Sequence, residues 1–237
     1  MNDKPKSYII EAVILALALL GTGFFVSSSL VTIKDRDRSV AVRGLAEREV
    51  KADFVIWPIQ FKEMSNDLSA LHSASQEKAN VLVKFLMDNG ITKDEISFTS
   101  PSVVDFETEM YRERKMPYRY CLSTVVTVAS SKVDVVRDLM GKQIELVKQG
   151  FVFVHDDYRN QTVFSFNGLN EIKPAMIEEA TRNARMAGEK FANDSKSKLG
   201  KIKSAGQGLF TITDRDLNSP HIKDVRVVTN VEYFLED

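Results

Sequence analysis

Three consecutive polar residues, His155, Asp156 and Asp157, are the strongest candidate metal ligands in this chain of 237 residues. One imidazole and two carboxylates are ligand types that divalent metals use. Adjacent residues of a strand point to opposite faces, however, so three consecutive side chains rarely converge on one ion. The spacing favours a polar strand end that turns at Asp156 and Asp157, and we predict no metal and no cofactor.

Alternating carboxylates form a second candidate site at Asp105, Glu107 and Glu109. Residues two apart on a strand share a face, where carboxylates could act in acid–base catalysis or bind calcium. Acidic side chains on one strand face are more often simply solvated. We predict no catalytic residues; the alternative is a ligand- or metal-binding module, or a hydrolase, that uses these carboxylates and His155.

Basic and aromatic residues interleave before the predicted strand at residues 118–130 and in its first three residues. In a cytosolic protein this pattern could stack nucleic-acid bases. In an exported protein it favours an exposed hairpin loop. Contact with anionic lipid or a neighbouring subunit is the alternative. The members of the group are Tyr111, Arg112, Arg114, Lys115, Tyr118, Arg119 and Tyr120.

Cys121 is the only cysteine, which excludes an internal disulfide and a multi-cysteine zinc site. It follows Arg119 by two residues on a predicted strand, so the two share a face. A redox-sensing thiol needs a nearby cation and exposure, but no resolving cysteine is present. A small buried hydrophobe is the favoured interpretation. His72 and His221 are each isolated from obvious ligand partners.

The composition is that of a folded chain, with 43% hydrophobic and 27% charged residues, which excludes wholesale disorder. Thirty-two basic and 33 acidic residues give a net charge of -1, which argues against nucleic acid as the main partner. The sequence contains no G-x-S-x-G, P-loop, H-E-x-x-H or G-x-G-x-x-G motif. We therefore predict a protein that is not an enzyme and does not bind nucleic acid.

Residues 8–33 form an apolar stretch of the length that a transmembrane helix needs, about 20 residues. Lys4 and Lys6 precede it, so residues 1–7 are predicted to form a short cytoplasmic tail and the rest to be exported. The apolar character continues past Ser27 and Ser29 and no A-x-A site is present, which favours a signal anchor over a cleaved signal peptide. Residues 34–38 are then a linker before an exported domain at 39–237.

Hydrophobic periodicity predicts an α+β domain with mainly antiparallel sheets and three helices. The helices are expected at residues 66–89, 131–150 and 170–199, with Asn89-Gly90, Gly150 and Leu199-Gly200 as stops. The strands are expected at residues 39–50, 54–64, 96–106, 118–130, 151–155, 162–166, 201–212 and 224–235. Their order suggests a duplicated β-β-α-β-β unit on either side of a linking helix.

The last predicted helix carries an apolar stripe whose small members should let it lie close to a sheet. The stripe is Met176, Ala180, Ala184, Ala187 and Phe191. Two further N-terminal signals are Asn66, a possible cap of the first helix, and residues 131–134, which have the form of a capping box.

Several of these segments resemble the SIMPL-domain family. Residues 40–44 resemble its opening V-x-G-x-G strand, and Ala52-Asp53 resembles the Pro-Asp before its second strand. Residues 89–91 and 117–120 add to the match, and the alanine-rich helix at 179–187 leading into residues 199–202 is its most specific part. Ala46 and Ala52 depart from the usual glycine and proline.

The resemblance implies an exported or envelope-attached bacterial protein, linked to envelope or oxidative stress, that forms homo-oligomers of ring-like form. It brings no catalytic residues. Together with the N-terminal stretch, it leads us to expect a single-pass protein of the bacterial inner membrane with its C-terminal domain in the periplasm. The alternative is a soluble periplasmic protein after signal cleavage. The expected contacts are the lipid bilayer through residues 8–33 and further copies of the chain, with any other protein partner unknown.

Overall fold

A computed structural model describes residues 11, 13–24, 38–108, 116–154 and 158–236. Its α+β class and antiparallel sheets confirm the prediction. The strands are β1 (Ser39–Lys51), β2 (Phe54–Ser65), β3 (Ile96–Phe98), β4 (Ser102–Asp105), β5 (Tyr120–Ser130), β6 (Val163–Ser165), β7 (Lys198–Gln207), β8 (Thr211–Asp214) and β9 (Ile222–Glu236).

Four α-helices occur in these ranges, against three predicted for the exported domain. They are α1 (residues 13–24), α2 (Leu68–Asp88), α3 (Val133–Lys148) and α4 (Leu169–Asp194). Within the described residues, no helix combines the length and apolarity needed to cross a membrane. Much of the apolar stretch at residues 8–33, and most of the linker at 34–38, lies outside these ranges.

The chain forms two compact units, and the first comprises residues 1–47, 173–211 and 226–237. It holds most of α4 and of a sheet with the strand order β1-β9-β7, in which β8 also pairs with β9. One cluster of its core comprises Val42, Ala184, Val231 and Tyr233. Further buried residues of this unit are Ala46, Met176, Ala180, Ala192 and Val227.

The second unit comprises residues 48–172 and 212–225. Its sheet has the order β3-β5-β2-β6, and β4 also pairs with β5. Helices α2 and α3 pack on this sheet. Val55, Trp57, Ile59 and Phe61, which alternate along β2, are all buried, as the period-two pattern predicts.

The two sheets share one order of elements, although the predicted tandem β-β-α-β-β units are not formed. In one sheet the order is β2, α2, β3 with β4, and β5; in the other it is β1, α4, β7 with β8, and β9. The first set lies in sequence between the strands β1 and β9 of the second. Only β6 and an isolated bridge from Phe153 to Phe61 occur where the prediction places two full strands.

Helices α2 and α3 end at their predicted glycines. Gly90 and Gly150 have left-handed φ values of +96° and +84°, a conformation that costs glycine little. The residues that follow them, Ile91 and Phe151, are buried, and each donates its backbone N–H back into the preceding helix. This is the Schellman arrangement, which satisfies the last helical carbonyls.

Helix α4 has the same arrangement without a glycine. It ends at Asp194, Lys196 takes the left-handed position with φ +58°, and the N–H of Ser197 bonds back to Ala192 O at 2.9 Å. The predicted stop at Leu199-Gly200 is wrong, because these residues belong to β7. No local residue type marks the true end.

The predicted N-terminal caps are also replaced by neighbours. Asp67, rather than Asn66, caps α2 and accepts N–H bonds from Ser69 and Ala70. At α3 the N-cap is Lys132, which makes no side-chain cap bond. Its backbone N–H bonds to Ser130 Oγ at 2.9 Å, so the capping box predicted at residues 131–134 does not form.

The buried stripe of α4 has a spacing of four residues. Its members are Met176, Ala180, Ala184, Gly188 and Ala192. The first three were predicted, but Phe191 is 59% exposed and Ala187 is only partly buried. Gly188 and Ala192 are the buried residues where the sequence pattern predicted Ala187 and Phe191.

Gly44 of β1 lies directly against this stripe. A Cβ atom at residue 44 would stand 1.8 Å from the backbone oxygen of Ala180 and 2.5 Å from the backbone nitrogen of Ala184. Real Cβ contacts never come so close, so the strand and the helix could not keep their separation. Asn183 adds a hydrogen bond from its side-chain Nδ2 to Leu45 O at 2.8 Å.

We predict that Gly44→Ala lowers the free energy of unfolding by about 2–4 kcal/mol, because the added methyl group meets backbone atoms that cannot rotate away. Ala184→Leu, in the same contact, should cost about 1–3 kcal/mol. Urea unfolding followed by circular dichroism measures both changes.

Gly206→Ala is the matched control, since it lies in the same sheet with nothing within 4 Å of the added Cβ. It should be neutral or stabilise by about 0.5 kcal/mol. Arg182→Leu, on the exposed side of α4, should change stability by less than about 0.5 kcal/mol. Equal effects at residues 44 and 206 would contradict the proposed contact.

Candidate functional site

Two of the three carboxylates predicted on one strand face, Asp105 and Glu107, meet one arginine. Asp105 ends β4, but Glu107 lies in the turn that follows, so the two do not share a strand as predicted. Nε of Arg119 lies 3.2 Å from each carboxylate oxygen of Asp105, and its Nη2 lies 2.9 Å from Oδ2. The Nη1 atom lies 3.0 Å from Glu107 Oε2. The hydrogen bonds from Arg119 lower the pKa of Asp105 below its usual value. A carboxylate that is bound bidentately and is harder to protonate is a poor general base near neutral pH.

Arg119 is itself fixed at the start of β5 by two further contacts. Its backbone N–H donates to Asn66 Oδ1 at 2.9 Å, and its guanidinium carbon lies 4.9 Å from the centre of the Tyr120 ring. Asp105 and Tyr120 are paired residues of β4 and β5. The cluster therefore joins the ends of the two strands on either side of residues 109–115.

Most of the other predicted site residues are not brought into this cluster. Cys121 is buried on β5, and the Arg119 side chain binds Asp105 and Glu107. His72 lies on α2. His221 packs edge-on against Phe164, with ring centres 6.1 Å apart, and burial together with the positive charges of Arg137 and Arg215 lowers the pKa of its imidazole.

Other predicted site residues lie outside the part of the chain that the structure describes. They are Glu109, Tyr111, Arg112, Arg114, Lys115, His155, Asp156 and Asp157. In the part of the chain that is described, no three His, Cys, Asp or Glu side chains are grouped so that they could hold a metal ion.

Asp53, noted in the sequence only through the family resemblance, holds the start of α4. Its two carboxylate oxygens accept the backbone N–H of Asn167 at 2.8 and 2.9 Å, and Oδ2 accepts that of Gly168 at 2.7 Å. Next to it, the N–H of Ala52 donates to His221 O at 2.9 Å. A carboxylate is well suited to this position, because the first N–H groups of a helix lack helical acceptors.

Glu95 is the most strongly perturbed acid and was missed in the sequence. It closes a capping box with Thr92 at the single 3₁₀ turn Lys93–Glu95, accepts from Ser130 Oγ at 2.6 Å and pairs with Lys132 Nζ at 3.0 Å. Partial burial alone would raise the pKa of Glu95, but the hydrogen bonds from Ser130, Thr92 and Lys132 lower it to about 2. The T-x-x-E spacing was the available signal.

The first unit exposes a different kind of feature, the strand β7 at the edge of its sheet. Eight of its ten residues are exposed, so neither face of most of the strand is covered. Among the described residues, β7 pairs with β9 alone. A groove of about 630 Å³ lies beside it and is lined by residues of β1, β7 and β9. An uncovered edge of this kind can accept another strand.

Comparison with known families agrees with the resemblance found in the sequence. Residues 40–224 match the family model SIMPL, described as a protein of unknown function (DUF541). The chain belongs to the SIMPL family. No curated protein matches it. The segments that carry the sequence resemblance, at residues 40–44, 52–53 and 179–187, include Gly44, Asp53 and Ala184, which all contact α4 or belong to it.

We predict that Glu95→Gln lowers the free energy of unfolding by about 1–2 kcal/mol at pH 7, since hydrogen bonds to a charged acceptor are lost. The pKa of Glu95 is lowered on folding, so its carboxylate stabilises the fold above about pH 4.5. That stabilisation is lost as the pH falls from 4.5 towards 2. The wild type and the variant should therefore converge in acid.

Urea unfolding at several pH values measures the difference. Asp94→Asn, at the exposed neighbouring carboxylate, is the control and should change stability little. A Glu95→Gln deficit that is the same at pH 3 and pH 7 would show that the charge of Glu95 is not what stabilises the turn.

Proposed function

We propose that this SIMPL protein is a non-enzymatic protein of the bacterial envelope. In the proposal, residues 8–33 anchor it in the inner membrane, residues 39–237 form a periplasmic domain, and copies of the chain associate through β7. The link to envelope or oxidative stress rests on the family resemblance and belongs to the proposal.

The membrane anchor is supported by the surface of α1. Val13, Leu15, Leu17 and Leu20 are each more than half exposed, and so is Phe24 at 73%. A helix that is apolar on every side is stable in a buried or lipid environment rather than in water. Residues 8–33 supply enough apolar sequence for about 20 residues in the bilayer.

Self-association is the part that the geometry supports best, and the exposed edge of β7 is the observation that carries it. Ser204, Ala205, Gly206 and Gln207 are uncharged, small or polar, and exposed, so a second backbone can approach them closely. The lysines of β7 precede this stretch, at residues 198, 201 and 203. Lys203 is paired with Glu232 at 3.4 Å, and a strand that pairs along residues 204–207 meets no lysine. Strand addition at an open edge supplies main-chain hydrogen bonds.

The non-enzymatic assignment is supported by the use of the strand carboxylates. Asp105 and Glu107 bind the guanidinium of Arg119, and Asp53 and Glu95 bind backbone and side-chain donors in the fold. The alternative of a hydrolase or metal site that uses the strand carboxylates would first have to displace Arg119.

We expect a reporter enzyme that is active only outside the cytoplasm to be active when fused after Asp237, because the positive N-terminal flank holds residues 1–7 inside. The matched fusion of a reporter that is active only in the cytosol should be inactive. The reverse pattern would contradict the orientation. A mature N-terminus near Leu30 in the soluble fraction would support signal cleavage instead of the anchor.

We predict that Ala205→Lys weakens self-association of the chain at least about tenfold, because a lysine on an edge strand opposes pairing with a second strand. Analytical ultracentrifugation of the detergent-solubilised full chain over a concentration series measures the dissociation constant.

Ala74→Lys, at an exposed position on α2 of the other unit, is the matched control with the same change of charge and volume. It should leave the dissociation constant within about twofold. A wild-type chain that stays monomeric at every concentration, or equal effects of both variants, would overturn association through β7.

A further inference from the structure

A cavity of about 310 Å³ lies in the second unit between α2, the strands β3 and β5, and the segment that joins β3 to β4. It opens where the pairing with β5 slips by one residue. Phe98 pairs with Val126, but Ser102 pairs with Ser123, so three residues of one strand face two of the other. An extra residue of this kind bends the strand away from its partner.

Two hydroxyl groups form the floor of the cavity. Ser75 of α2 and Thr124 of β5 are each only 4% exposed, and their oxygens lie 2.7 Å apart. Each hydroxyl has one proton to donate, and one hydrogen bond between them uses one proton. Among the described residues, no acceptor receives the second proton. A buried donor without an acceptor is costly, so this pair is suited to donate to a ligand.

The other residues that line the cavity are apolar near the two hydroxyl groups and mostly polar at its opening. Ala79 and Leu122 are buried, and Phe98, which is 56% exposed, forms a side wall. His72, Gln76, Thr99 and Pro101 complete the lining. No acidic side chain borders the cavity, so the lining offers nothing to balance a cation. No lysine or arginine borders it either, so the lining has no permanent positive charge to bind an ionised carboxylate.

We propose that this cavity binds a small, neutral aromatic compound that carries a carbonyl group. The ring lies against Phe98 and Leu122, and the carbonyl oxygen accepts the spare proton of the Ser75–Thr124 pair. The volume is at the lower end of the range for ligand pockets, about 300–1,000 Å³, and suits a single-ring molecule. The proposal is independent of self-association through β7, which lies in the other unit.

Acetophenone and ethylbenzene test the proposal, since they have nearly the same shape and only acetophenone has a carbonyl acceptor. Either hydroxyl alone still has a proton to donate, so both must be removed together. In Ser75→Ala/Thr124→Val the affinity for acetophenone should fall about fivefold, as for the loss of one hydrogen bond, and the affinity for ethylbenzene should not fall. Removing both partners leaves no unpaired group, so the fold should be retained.

Isothermal titration calorimetry of the full chain in one detergent measures these affinities, and ligand uptake by the detergent cancels between variants. Thr127→Val is the control. Thr127 lies on the same strand as Thr124 and pairs with Pro58 of β2, but it is three residues from Thr124 and therefore points to the other face of the sheet. This variant should bind both compounds as the wild type does. Phe98→Ala, at a side chain that is 56% exposed, should weaken the binding of both compounds. Absence of acetophenone binding to the wild type, equal binding by the double variant, or unchanged binding by Phe98→Ala would each overturn the proposal.

Discussion

The contact of α4 with β1 at Gly44 is the constraint on which the first unit depends. Where a Cβ atom would overlap backbone atoms of Ala180 and Ala184, the helix lies on the strand with only backbone between them. The buried stripe of α4 continues through Gly188 and Ala192, which are also small residues and allow the same close approach. Such an interface buries little side-chain area, so it depends on close packing and on hydrogen bonds such as that from Asn183 to Leu45.

The second unit solves the same packing problem with large side chains. Leu71, Leu82 and Leu86 of α2 and Val136, Leu139 and Leu146 of α3 are fully or almost fully buried against the sheet. Leucine and valine side chains bury more apolar area than the alanine and glycine residues of the α4 stripe. Although the two sheets share one order of elements, the units differ in packing chemistry, and the second unit also contains α3 and β6. Core substitutions should therefore act by overpacking in the first unit and by leaving cavities in the second.

Much of the fold could be predicted from local signals. The strands β1 and β2 could be predicted from the alternation of apolar and polar residues along each of them. The ends of α2 and α3 could be predicted from the glycine that follows each helix. The end of α4 could not be predicted, because Lys196 takes a glycine's conformation without being one. The boundaries of the repeated unit and the slip between β3 and β4 also depend on which strands pair. Arg119 reaches Asp105 for this reason too: fourteen residues separate them, and only the register of β4 and β5 brings them together.

The polar groups of the second unit show how a charged side chain can be confined to a structural role. Glu95, Asp53 and Arg119 each bind several partners at once, and each joins segments that are distant in sequence. A group whose hydrogen-bonding capacity is used by the fold has little left for a substrate or a metal. The Ser75–Thr124 pair differs, because two hydroxyls share one bond and keep one proton to donate. The edge of β7 differs in the same sense, because its outer N–H and C=O groups have no strand partner among the described residues. Spare hydrogen-bonding capacity, rather than charge, therefore marks the surfaces of this SIMPL protein that are available for binding.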